Sequence, residues 1–257
     1  MRAKAKIVTL LFGTILIALI AIPASANNTT NSNAYSLVPN GTSSETFFNG
    51  TDQQRWYAFR AISGRSYCAE TQGGVFFDVN AGNIDTVVNV FRTDGITSLV
   101  TNDDAVAEPR GYRLSRGCFI AAVSEVTYVQ IVPFTAGDQF NFRVRIAETT
   151  LFSNWFFLGG DYSSFTLLRN TTSSTLSYTI NWRNSAGTIV GTQTASLVSN
   201  ASAALNGRDF PGALAAVSGT VEIVHNSTPD AIFATTTVLS GTTGLSFDTF
   251  FVKRASW

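Results

Sequence analysis

The sequence predicts an all-β protein built from two antiparallel β-sandwiches in tandem. Short runs of β-branched and aromatic residues recur along the chain, separated by Gly, Asn, Asp and Ser, and helical periodicity is almost absent. One run alternates cleanly, with Phe140, Phe142, Val144 and Ile146 facing one way and Asn141, Arg143 and Arg145 the other. That pattern marks a half-buried antiparallel strand with one wet face. No helical stretch lies between successive runs, which excludes the crossovers that a parallel α/β sheet needs.

The first element is not expected to belong to the fold. Arg2, Lys4 and Lys6 precede an apolar run from Ile7 to Ile22, and Ala24-Ser25-Ala26 then supplies small residues for signal peptidase. Residues 1–26 read as a secretory leader cleaved near Ala26, which places the mature chain outside the cytoplasm, in the periplasm or the extracellular space. The mature chain carries 14 Lys+Arg against 17 Asp+Glu, a net charge near −3, because the leader removes three basic residues and no acids. Its arginines are scattered, so a nucleic-acid partner has no basic footprint. No second apolar run reaches bilayer length, and the mature chain is expected to lack a membrane span.

Residues 27–44, rich in Asn, Thr and Ser, read as a flexible lead-in. The first sandwich is expected over residues 45–148. Its first run alternates Trp56, Ala58 and Arg60 against Tyr57, Phe59 and Ala61. The runs RSYCAET, DTVVNVFR, CFIAAV, TYVQIVPF and FNFRVRI follow. A second set, expected to form a sandwich over residues 149–257, contains SSFTLLRN, LSYTINWRN, TIVGTQTASL, SGTVEIVH, AIFATTTVLS and LSFDTFFV. A short helix is expected around Phe210 to Val217, against the breakers Pro211 and Gly212. Seven N-x-[ST] sequons, at Asn27, Asn28, Asn40, Asn49, Asn170, Asn200 and Asn226, read as Asn/Thr-rich turns, or as glycan acceptors in a host that glycosylates.

Cys68 and Cys118 are the only cysteines. In an exported chain two cysteines imply a disulfide, the alternative being two buried thiols.

Residues 45–148 resemble the bacterial pre-peptidase C-terminal-like domain, a β-sandwich appended to many secreted proteases and other exported enzymes. The resemblance rests on DQQRWYAFRAISGRSYCAET, on DTVVNVFRTDGITSLVTNDDA with its Asp-Gly turn and Asn-Asp-Asp loop, and on the closing strand GDQFNFRVRI. It departs from that family where SEVTYVQIVPF stands in place of a Gly-Thr-Tyr-Tyr turn and strand. The resemblance implies a jelly-roll-like sandwich serving as a non-catalytic accessory in export, maturation or adhesion. Residues 149–257 look like the immunoglobulin-like sandwiches that end many bacterial surface proteins, through FTLLRNTTSSTLSYTINWRNSAGTIVGTQTASL and GLSFDTFF. Fold likeness alone does not carry function.

Groups for chemistry are few. His225 is the only histidine and no G-x-S-x-G elbow occurs. At the end of an alternating strand His225 reads as a locally bonded side chain rather than a general base. Asp103 and Asp104 are adjacent, and neighbouring strand residues point to opposite faces, which makes them a poor glycosidase pair. Two other uses stay open for the Asn-Asp-Asp loop. Asn102, Asp103 and Asp104, with Asp85 across the hairpin, offer oxygens to calcium; equally, they cap a turn through nearby backbone amides.

Trp155, Phe156 and Phe157 form a consecutive aromatic triplet that alternation cannot bury on one face. They either fill the junction between the sandwiches or form a platform for stacking a glycan or polymer. Trp56 and Trp182 lie in alternating strands and are expected in the core. The function expected from these residues is a secreted, non-catalytic binding, adhesion or accessory protein, whose partner is a surface polysaccharide or a protein. The alternatives are a small exported hydrolase and a structural subunit pairing edge to edge.

Overall fold

β-Branched and aromatic side chains lose rotamers against the turns of a helix but fit a pleated surface, and this chain is accordingly strand along most of its length. The computed structural model describes residues 28–74, 84–107, 112–210 and 216–255. The expected leader, residues 1–26, lies outside the described residues. Among those described, the regular elements are strands and two 3-10 turns, Asn31–Asn33 and Gly207–Asp209, with no α-helix. The short helix expected around Phe210 falls largely on residues 211–215, which also lie outside them.

Eleven strands build the first pair of sheets and a small ribbon. They are β1 (Tyr35–Ser36), β2 (Ser44–Asn49), β3 (Arg55–Ala61), β4 (Ser66–Gly73), β5 (Thr86–Phe91), β6 (Ser98–Asp103), β7 (Val106–Ala107), β8 (Arg113–Leu114), β9 (Arg116–Ile120), β10 (Glu125–Pro133) and β11 (Gln139–Glu148). One sheet runs β1-β3-β10-β5-β6, the other β2-β11-β4-β9, and β7 pairs with β8. Every ladder is antiparallel except β1 on β3. Phe140, Phe142, Val144 and Ile146 are buried, as the alternation of β11 predicts, and meet Tyr57, Phe59, Val88, Val90, Val129 and Ile131 of the facing sheet.

The described part of the lead-in, residues 28–44, differs from the expectation of a flexible segment. Asn28 is buried and holds one edge of β3 at Trp56: its side-chain amide donates to the carbonyl of Trp56 at 2.8 Å, and its backbone carbonyl accepts from Trp56 N–H at 2.7 Å. Leu37 then joins the core, its N–H bonded to the Ala58 carbonyl at 2.8 Å. Composition read this stretch as solvated because its side chains are polar; its backbone supplies a sheet edge instead.

Nine strands form the second pair of sheets: β12 (Leu151–Phe157), β13 (Tyr162–Asn170), β14 (Leu176–Asn184), β15 (Ile189–Leu197), β16 (Ser202–Asn206), β17 (Ser218–His225), β18 (Ile232–Ser240), β19 (Ser246–Phe250) and β20 (Val252–Lys253). The orders are β15-β14-β17-β12-β20 and β16-β13-β18-β19. Trp182 is fully buried at the centre of this core, 4.9 Å between ring centroids from both Phe156 and Phe210.

β12 carries a bulge that matters for the site. Ser153 pairs with Val221 and Phe156 with Gly219, so Asn154 and Trp155 together stand opposite Thr220. An extra residue reverses the alternation beyond it. Gly219 permits the close approach: a Cβ there would lie 1.8 Å from the Arg183 carbonyl oxygen and 2.9 Å from the Phe156 ring.

The two pairs of sheets meet across Thr149 and Thr150, both buried, between β11 and β12. Thr149 N–H donates to the Ser66 carbonyl at 2.9 Å, and Ser66 N–H donates to Thr150 Oγ1 at 2.8 Å. Glu148 is buried beside them, with Arg65 Nη1 at 3.1 Å and Arg254 Nη2 at 2.7 Å. The Arg65 guanidinium also lies over the Phe152 ring at 5.2 Å.

Candidate binding surface

The Asp-Gly turn and the Asn-Asp-Asp loop occupy the two ends of the β5–β6 hairpin. Asp94 caps the turn: its Oδ1 accepts from the N–H groups of Ile96 and Thr97 at 2.9 and 2.8 Å, and its Oδ2 accepts from Thr97 Oγ1 at 2.6 Å. Those bonds favour the charged form and hold the carboxyl down at about 2.

At the other end, carboxylate oxygens of Asp85, Asp103 and Asp104 lie within 4.8 Å of one another. Asp104 takes the left-handed conformation, with φ 58°, and this brings its side chain round to that of Asp103. Burial, then the charges of Asp104 and Asp103, push the Asp85 carboxyl up; burial and Asp104 do the same to Asp103. Arg113 on β8 faces the group, 3.6 Å from Asp104 and 3.9 Å from Asp85. Asp85 Oδ1 is buried with no hydrogen-bond partner among the described residues. Asn102 does not join the three carboxylates. It precedes Asp103 on β6 and turns away, its Oδ1 3.4 Å from the N–H of Arg116.

Cys68 and Cys118 form a disulfide and stand directly opposite each other on β4 and β9. His225 is buried where β17 ends against the inter-sheet junction; its Nδ1 accepts from Ser227 N–H at 3.3 Å. Burial first, then the nearby Lys253 charge, holds its pKa down at about 4.

The aromatic triplet is split by the bulge. Phe156 turns into the second core and is fully buried, so it is no part of an exposed platform. Trp155 is 38% exposed and stacks on Phe157, with centroids 5.9 Å apart and planes 18° from parallel. Phe247 of β19, itself half exposed, meets Trp155 edge-on at 6.4 Å, and Tyr162 meets Phe157 edge-on at 5.5 Å. The cluster therefore draws on β12, β13 and β19 along one open side of the second pair of sheets. β20 pairs with β12 only at Leu151 and Phe152, so among the described residues this flank of β12 carries no ladder from Ser153 to Phe157. Sequence reasoning missed Phe247 and Tyr162, since only alternation within separate runs was visible and nothing in it pairs distant runs. It missed Arg113 for the same reason.

No protein-family model matches this chain, and no curated protein does. Among solved structures it is similar to a β-glucuronidase of Bacteroides uniformis, at 12% identity over 80% of this chain and 26% of that one, with a TM-score of 0.20. It is also similar to the full extracellular region of zebrafish Gpr126/Adgrg6, at 8% identity over 86% of this chain and 31% of that one, TM-score 0.24. A glycosyl hydrolase family 2 member from Bacteroides cellulosilyticus matches at 9% identity over 90% of this chain and 29% of that one, TM-score 0.23. The chain spans about a quarter to a third of the length of each, and at these scores the likenesses assign it to no family.

Proposed function

We propose that this chain is a non-catalytic binding module that works outside the cytoplasm and holds a surface polysaccharide on the aromatic edge of its second pair of sheets. Trp155 carries the reading. A large indole left 38% exposed, braced in parallel by Phe157 and edge-on by Phe247, is a rigid apolar platform at little entropic cost. The disulfide supports an oxidising compartment. The strand pattern of the first pair of sheets, similar to accessory sandwiches of exported enzymes, fits the same role.

The test is retention of the purified mature chain on particles of cellulose and chitin. Wild type is expected to bind, and Trp155→Ala and Phe247→Ala to lose about tenfold in affinity, the size of a buried aromatic anchor. Equal retention of wild type and Trp155→Ala, or no retention on any particle, would overturn the proposal.

Calcium at Asp85, Asp103 and Asp104 belongs to the same proposal, with the ion taking the place of the Arg113 guanidinium. The orphaned Asp85 Oδ1 among three convergent carboxylates supports it. Millimolar calcium should then raise the melting temperature of wild type and not of Asp85→Asn. An unchanged wild-type melting temperature removes calcium from the picture.

A further inference from the structure

A cleft of about 420 Å³ opens at the junction of the two pairs of sheets, and Arg145, Lys253, Arg254 and Asp230 line it. Two of these cations are seated on buried carboxylates. Arg145 Nε donates to Glu70, and Arg254 Nη2 lies 2.7 Å from Glu148; the two glutamates are 3% and 0% exposed. Each guanidinium is thus gripped by one edge from beneath and keeps further N–H donors, because the group carries five in a fixed fork. Among the described residues Lys253 is tied only to Asp230, at 2.6 Å, and that carboxylate is 83% exposed.

The charges around the cleft do not balance. Glu70 is shared by Arg145 and Arg116, Glu148 by Arg65 and Arg254, and Asp230 holds Lys253. Arg116 and Arg65 do not line the cleft but share its two buried carboxylates, so the ion-pair network beneath it holds five cations against three carboxylates, on a mature chain whose net charge is near −3. His225 stands behind Lys253, and burial and that lysine keep it neutral. It adds no charge at neutral pH. Pro229 and Ala255 give the cleft an apolar side.

We propose that this cleft is an oxyanion site that takes a carboxylate or sulfate group carried on an acidic extracellular polysaccharide. A donor fork held rigid by buried carboxylates suits a planar or tetrahedral oxyanion, and the positive surplus favours it electrostatically. The volume suits one sugar residue with its charged substituent, and the apolar side suits the ring. This is a site separate from the aromatic edge, and it stands or falls without it.

The experiment passes the mature protein over polygalacturonate-agarose, dextran sulfate-agarose and plain dextran-agarose at low ionic strength, with free inorganic sulfate as competitor. Wild type should be retained by an acidic matrix, released by sulfate, and not retained by plain dextran. Retention on polygalacturonate alone assigns a carboxylate, and retention on both assigns either oxyanion. Lys253→Glu should weaken binding at least tenfold while keeping the wild-type melting temperature, since its present partner is a solvated side chain. Arg60→Glu, an equal charge change at an exposed position of β3, should leave retention as it is. No retention on either acidic matrix overturns the proposal, as does equal weakening by Lys253→Glu and Arg60→Glu. Because cellulose and chitin carry no such anion, failure here and failure at the aromatic edge give different patterns.

Discussion

Glu148, the last residue of β11, is fully buried and lies 2.7 Å from Arg254, near the end of the described chain. A second arginine, Arg65, approaches from the β3–β4 turn at 3.1 Å. A buried carboxylate is tolerable only while it is compensated, and here burial, the largest influence, drives its pKa up while the two guanidiniums pull it down. Either arginine alone still shields the charge. Arg254→Met should therefore cost about 1–2 kcal/mol, and Arg65→Met/Arg254→Met about 3–5 kcal/mol, more than the two singles summed. Urea unfolding of the four proteins checks this, and simple additivity would contradict it.

His225 makes stability depend on pH. Its pKa is 6.5 when free and about 4 when buried in the fold. Between those values the unfolded chain binds a proton that the folded chain refuses, so stability rises with pH through this window. The contribution is fully present above pH 6.5 and is lost as pH falls towards 4, amounting to about 3 kcal/mol. Denaturant titrations at several pH values should show that slope in wild type and a flatter one in His225→Gln. Parallel curves for the two proteins would mean that other groups set the acid limb.

The disulfide joins an edge strand, β9, to its only neighbour in the sheet, β4, and spans 50 positions of sequence. Cross-linking a loop of that length restricts the unfolded chain by up to about 4 kcal/mol. Cys68→Ala/Cys118→Ala should lose about 2–4 kcal/mol in denaturant unfolding. Wild type treated with a thiol reductant should fall to the same value, because Cys118 is partly exposed and open to exchange. If reduced and oxidised protein unfold together, the bond contributes nothing.

Thr166 and Thr236 face each other across the β13–β18 ladder inside the second core, and neither hydroxyl has a hydrogen-bond partner among the described residues. A buried hydroxyl without a partner costs about 1 kcal/mol or more, and valine has nearly the same shape. Thr166→Val and Thr236→Val should each raise the unfolding free energy by about 1 kcal/mol. A loss on either substitution would reveal a bond that these hydroxyls make.

The cation cleft and the aromatic edge were out of reach of any reading by runs. Arg145 alternates legibly onto the wet face of β11, but its partner Glu70 comes from β4, and Lys253 and Arg254 come from the far end of the chain to meet Asp230 and Glu148. Alternation tells which face a residue takes within its own strand; it carries no information on which strand lies beside it. The Asn-Asp-Asp loop shows the limit at short range. Asp103 and Asp104 meet because Asp104 adopts a positive φ, and Asn102 leaves because it alternates with Asp103.

From its own pattern the sequence determined the all-β class, the inward row Phe140, Phe142, Val144 and Ile146, the core placement of Trp182, and the disulfide between Cys68 and Cys118; Trp56 is buried too, but on the outer face of β3 against Phe91 and Tyr128 rather than in the core. These follow from period-two hydrophobicity and from there being only two cysteines, both local or combinatorial facts. Only the tertiary structure decided the rest. It pulled Phe156 into the core while leaving Trp155 half exposed, because one extra residue in β12 reverses the alternation and Gly219 leaves room for the ring. It also set five cations against three carboxylates at the junction, because that balance depends on which strands become neighbours.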